Sequence, residues 1–185
     1  MSREKSELLQ ISGRFAIDGE LENIEPHGNG HINDTFLLTC RAASGEKCRY
    51  ILQRMNHEVF KDPRGLMENI VGVTAFLQKK IAENGGDPRR EALNVIPVAD
   101  GGSYRQEEDG TFWRMYRFVE NAVSYDVVER PEDFYESAVA FGHFQKLLAD
   151  YPAESLHETI PNFHNTVNRL RNFKKAVEAD VLQRA

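Results

Sequence analysis

Cysteine is scarce in this sequence, with only Cys40 and Cys48 among 185 residues. Two are too few for a disulfide framework, and the pair lacks the C-x-x-C spacing of a metal or redox site. They flank an expected hairpin, where a cross-strand pair is geometrically conceivable; two reduced, half-buried thiols are the expectation. Long apolar runs are missing too. None approaches the ~18 residues of a membrane span, and Met1-Ser2-Arg3-Glu4-Lys5 lacks the apolar core of a secretory signal. A cytoplasmic protein with no membrane contact is expected. Positive charge is in deficit: 23 Lys and Arg against 29 Asp and Glu give a formal net charge of −6. That sign argues against a global nucleic-acid footprint. A phosphate bound here must be held locally, by backbone N–H groups and a few cations. The six histidines form no H-x-x-x-H or H-E-x-x-H pattern, and no metal site is expected from them.

What is present suits a packed protein, with 41% hydrophobic and 28% charged residues. The length allows one domain, or one domain and part of a second. Ser6 predicts the cap of a short helix carrying Leu8, Leu9 and Phe15 and ending near Asp18-Gly19. A strand over 21–24 leads into His27-Gly28-Asn29-Gly30-His31, a turn rich in residues that tolerate positive φ. Strands are predicted over 35–40 and 49–55, joined by a hairpin loop at Ala43-Ser44-Gly45-Glu46. Asp62-Pro63 opens a helix whose Leu66, Ile70, Val73, Leu77 and Ile81 form one apolar face, ended by Asn84-Gly85-Gly86. Further strands fit 93–98 and 111–119, with a short one near 103–105. After Asn121 the pattern turns helical: Pro131-Glu132-Asp133 starts one helix, Asp150-Tyr151-Pro152 stops it, and a last helix runs from about Thr166 to the end. The fold class is α+β, with a unit over 1–120 and a second over 121–185.

Three antiparallel strands, a helix and two more strands is the order of a protein-kinase-like small lobe. There a glycine loop between the first two strands covers the phosphates, and the third strand places a polar side chain behind them. Gly28-x-Gly30 lacks the third glycine of the protein-kinase loop, and on its own a G-x-G turn is more often a plain hairpin. Asn29, Asn33 and Asp34 can stabilise the loop by bonding to backbone groups. Gln53, in Tyr50-Ile51-Leu52-Gln53, stands where protein kinases have lysine and carries no charge to neutralise phosphate. Arg54 is the nearest cation but points to the opposite face of the strand. Trp113 is expected to pack, and His143, His157 and His164 receive no role.

The runs Ile24-Glu25-Pro26-His27-Gly28-Asn29-Gly30-His31-Ile32-Asn33-Asp34-Thr35, Tyr50-Ile51-Leu52-Gln53-Arg54-Met55-Asn56 and Ser124-Tyr125-Asp126 resemble bacterial N-acetylhexosamine 1-kinases. So does Thr159-Ile160-Pro161-Asn162-Phe163-His164-Asn165-Thr166 with Arg169 and Phe173. These enzymes are a branch of the aminoglycoside and choline kinase-like phosphotransferases, and the similarity covers about the first half of a family chain. Glutamine on the third strand is a trait of that branch. The resemblance implies a small lobe followed by the first helices of a large lobe. It implies transfer of phosphate from ATP, with Mg²⁺, to the anomeric hydroxyl of an amino sugar. It also implies that Gly28, Asn29, Gly30, His31, Ile32, Asn33, Asp34 and Thr35 form the phosphate-covering loop, with Gln53 behind it and His31 reaching toward the sugar. The Arg117 carbonyl and the Val119 N–H would face adenine.

No H-x-D-x-x-x-x-N catalytic loop and no D-F-G motif occurs in the 185 residues. The catalytic base and the metal ligands are therefore expected beyond Ala185, and the chain alone is expected to be inactive. The alternative is a non-enzymatic remnant that binds a nucleotide or a partner. In either case an incomplete helical lobe would leave apolar faces open to self-association. One contact follows from the missing lysine. A glutamate on the following helix would lose its counter-ion, so a neutral Gln53–Asn69 contact is predicted, with Glu68 turned to solvent.

Overall fold

The computed structural model describes residues 3–184 apart from 126 and 129, so Asp126 of the Ser124-Tyr125-Asp126 run lies outside the described residues. The chain is α+β. Helix α1 (Arg3–Ser12) precedes strands β1 (Glu20–Pro26), β2 (Asp34–Arg41) and β3 (Lys47–Met55). Helices α2 (Pro63–Glu83) and α3 (Pro88–Glu91) follow, then β4 (Val95–Ile96), β5 (Arg105–Gln106) and β6 (Phe112–Arg117). Helices α4 (Pro131–Leu147) and α5 (Thr166–Ala179) come last, with a 3-10 turn over Ala153–Ser155 between them. The sheet is antiparallel in the order β1-β2-β3-β6-β4, and β5 also pairs with β6.

Alternation decides which side chains meet. On one face Leu38, Cys40, Tyr50, Leu52, Trp113 and Met115 are buried against Leu8 and Ile11 of α1. Each such aliphatic side chain contributes about 1.5–3 kcal/mol on burial. Thr35, Gln53, Arg114 and Tyr116 point to the other face, because they lie one residue out of phase with that core. Cys40 and Cys48 stand directly opposite each other across β2 and β3, and both thiols are free.

Helix α2 begins as expected. The Asp62 side chain accepts from the Gly65 N–H at 2.9 Å, Pro63 occupies the first turn, and Gly85 at φ 78° follows the end. One flank of α2 is then covered by residues 147–157. Leu147 and Leu148 pack with Val73, Leu77 and Ile81. Tyr151 stands edge-on to Phe76 at 5.2 Å, with its hydroxyl over Gly72, where a Cβ would come within 2.6 Å of it. Lys80 pairs with Asp150 at 2.6 Å.

Several expectations need correction. Helix α1 starts before Ser6 and ends at Ser12, because Gly13 follows and the Ser12 hydroxyl bonds back to the Leu9 carbonyl at 2.9 Å. Phe15 is instead a core residue bridged to Val98. The strand expected over 93–98 shrinks to two residues. The Asn94 amide bonds back to the Ala92 carbonyl at 2.7 Å, and Pro97 has no N–H to offer the ladder. The last helix stops at Ala179, with Asp180 left-handed at φ 36°.

Every buried side chain among the described residues precedes position 117. Helices α4 and α5 bury none, and Phe134, Phe141, Phe144, Leu170 and Phe173 are exposed. No described helix is long and apolar enough to cross a membrane.

Candidate functional site

The turn between β1 and β2 begins where the His27 N–H donates to the Thr35 carbonyl at 2.9 Å. Gly28 then takes φ 78°, a left-handed conformation that glycine adopts without strain. Residues 28–32 are exposed. A Cβ placed on Gly28 or Gly30 would meet nothing within 4 Å, so the space over the backbone is open. The returning limb is tied down by side chains. Asn33 Oδ1 accepts the Asn56 N–H at 2.9 Å, and Asp34 forms an ion pair with Arg54. Arg54 thus lies on the α1 face with its charge neutralised, as its place in the strand predicts.

The His27 ring stands edge-on to Phe118, with centroids 5.8 Å apart. Phe118 follows β6, in the segment expected to link the two units. It is held by the Arg49 guanidinium 4.2 Å above its ring, and Arg49 in turn pairs with Glu120. The Arg117 N–H is committed to the Asn94 carbonyl at 2.8 Å, and its side chain pairs with Asp18 at 3.4 Å. The Val119 N–H has no hydrogen-bond partner among the described residues.

On the face opposite α1 a row of polar side chains crosses three strands. Gln53 Nε2 donates to Thr35 Oγ1 at 3.0 Å. Gln53 Oε1 accepts from Arg114 Nε at 3.1 Å and from Arg114 Nη2 at 3.0 Å. Arg114 is only 8% exposed, and its guanidinium lies 5.3 Å from the Tyr116 ring centroid. Burial lowers the Arg114 pKa and pushes the Tyr116 phenol up to about 12.

The predicted Gln53–Asn69 contact is not made. Both atoms of the Gln53 amide are used by Thr35 and Arg114. Asn69 bonds the backbone of His157 twice, donating to its carbonyl and accepting its N–H, each at 2.9 Å. Glu68 does face outward, where it pairs with Arg64 and with His157 Nε2 at 2.7 Å. Two residues without an expected role, Arg114 and His157, thus take the positions that reasoning from the helix gave to Asn69. One signal for Arg114 was in the sequence: a lone cation between Trp113 and Met115 in an apolar strand needs a buried partner.

A cavity of about 370 Å³ lies on the α1 side of the sheet, where Gly28 and Gly30 of the turn meet Leu8, Phe36, Arg54 and Trp113. Its one sheet cation, Arg54, is already paired with Asp34, which makes it a poor phosphate site. Gln53 and Arg114 lie on the other face of the sheet. His31 and Ile32 border a separate cavity of about 340 Å³ with His57. No group of three or more His, Cys, Asp or Glu side chains among the described residues could hold a metal ion. A scan against models of known protein families finds no match.

Proposed function

We propose that this chain is the nucleotide-binding part of an ATP-dependent kinase that phosphorylates the anomeric hydroxyl of N-acetylhexosamines. In that view residues 1–120 form a protein-kinase-like small lobe, and 121–185 the linker and the first helices of a larger lobe. The observation that carries it is a glycine turn with open space over its backbone, returning at Thr35 to the sheet face that holds Gln53 and Arg114, with the His27 ring on Phe118. Loop N–H groups from Gly28 to Thr35 would cradle the phosphates, and the absent side chains at Gly28 and Gly30 leave room for close approach. The unpartnered Val119 N–H and the Arg117 carbonyl would bind the adenine edge, and His31 would point toward the sugar. The described residues offer no fit for Mg²⁺, so no metal ligand and no catalytic base is assigned to this chain.

Calorimetric titration of ADP tests the assignment. Gly30→Val is expected to weaken binding about tenfold, equivalent to ~1.4 kcal/mol. The melting temperature should not move, because Gly30 has no left-handed φ and its Cβ would touch nothing. Absence of ADP binding at millimolar concentration, or an unaffected Gly30→Val variant, would overturn the proposal.

The exposed faces of α4 and α5 favour self-association as the partner chemistry of the isolated chain, since an apolar stripe this wide is stable only when covered. Sedimentation velocity should show mass rising with protein concentration. A monomer across the whole range would refute it.

A further inference from the structure

Among the described residues, each arginine on the strands but one has a carboxylate within ion-pair distance. Arg41 has Glu22, Arg49 has Glu120, Arg54 has Asp34, Arg105 has Asp100 and Glu107, and Arg117 has Asp18. Arg114 is the exception, and it is also the most deeply buried arginine among the described residues. A buried cation without an anion is costly, so its retention calls for a source of negative charge. Among the described residues that source is not protein. The hydrogen-bond partner of its guanidinium is the neutral Gln53 Oε1, which takes Nε and Nη2 together. Nη1 has no partner among the described residues. No buried side-chain nitrogen among them lacks one, so Nη1 must reach solvent. On the far side of Gln53 in that row is Thr35, the residue at which the glycine turn returns to the sheet.

We infer that the Arg114 guanidinium is an anion site, that it receives a phosphoryl oxygen of the bound nucleotide, and that Gln53 is the strut that aims it. The charge that protein kinases place on the third strand would here sit one strand further along, on β6, beside an uncharged amide. This rests on the nucleotide-binding function proposed above. Arginine suits the position because its planar fork can give one edge to Gln53 and keep Nη1 for a phosphoryl oxygen. Lysine would have to serve both from a single nitrogen, without the two parallel bonds that fix the fork on Gln53.

The test compares adenosine, ADP and inorganic pyrophosphate by calorimetry on the 185-residue chain and on its Arg114→Met variant. The wild type should bind ADP more tightly than adenosine. In Arg114→Met that preference should fall by about tenfold, the size of one lost charge-assisted hydrogen bond, with adenosine affinity unchanged within about twofold. Without ligand, Arg114→Met should melt no lower than the wild type, since it removes an uncompensated buried charge. Should it fail to fold, Arg114→Gln gives the same readout, because it removes the charge while keeping a polar head for Gln53. An unchanged preference in the folded variant overturns the inference while leaving nucleotide binding intact. If the wild type binds neither adenosine nor ADP, the parent function fails and pyrophosphate decides the anion site alone. Binding that disappears in the variant supports the site, and no binding to the wild type overturns it.

Discussion

Gly19→Ala is expected to cost roughly 3 kcal/mol or more of folding free energy, a large share of a typical total. Two effects combine. Gly19 sits at φ 88°, where an L side chain is strained by about 1–2 kcal/mol. Its Cβ would also overlap the backbone of the neighbouring strand end, 2.5 Å from the Arg41 carbonyl carbon and 2.6 Å from the Ala42 nitrogen. Backbone cannot swing aside as a side chain can. Gly45 is the internal control, with φ 87° and nothing within 4 Å of its Cβ. Gly45→Ala should show the conformational cost alone, and the difference between the two urea midpoints measures the overlap. Equal losses would show that the Arg41 contact relaxes freely. The position matters to the candidate site because Glu20, the next residue, opens the register of β1 on Arg41, and β1 leads into the glycine turn.

Alkaline pH should also destabilise the fold, on the order of 2–3 kcal/mol from Tyr116 alone between pH 10 and 12. Burial holds the Tyr116 phenol at about 12 against an ordinary 10.0, and the Cys40 thiol at about 11 against 9.0. For Cys40 burial is the main cause, with Cys48 and then Glu22 adding to it. Both groups are neutral at pH 7. Their raised folded values mean that the unfolded chain loses its protons first. The stabilisation is therefore complete below about pH 9 and is lost as pH climbs through the folded values. Urea midpoints measured from pH 8 to 12 should fall, and Tyr116→Phe should flatten the upper part of that slope. A flat profile in the wild type would contradict the burial of the phenol.

The hairpins and α2 were legible because their signals are local. Gly45 turns β2 into β3, Asp62-Pro63 starts α2, and the β-branched and apolar run from Thr35 to Cys40 marks β2. The glycine turn was legible for the same reason. The environment of Gln53 was not, because it depends on which strand lies beside β3. That neighbour is β6, which brings Arg114 across 61 positions of sequence. Helical geometry correctly put Glu68 outside and Asn69 at the edge of the apolar face. It could not show that residues 147–157 return along that edge and claim Asn69 through the His157 backbone.

That return has a consequence during synthesis. The two hairpins of β1, β2 and β3 use near neighbours and can form soon after they leave the ribosome. On α2, Asn69, Gly72, Phe76 and Lys80 wait for His157, Tyr151 and Asp150. At ~5–20 residues per second, the stretch from Arg117 to His157 takes several seconds to be made. For that interval the sheet is complete while one flank of α2 stays bare, open to a chaperone or to another nascent chain. A codon change that slows translation between β6 and Tyr151 lengthens the exposure without altering one residue of the finished protein.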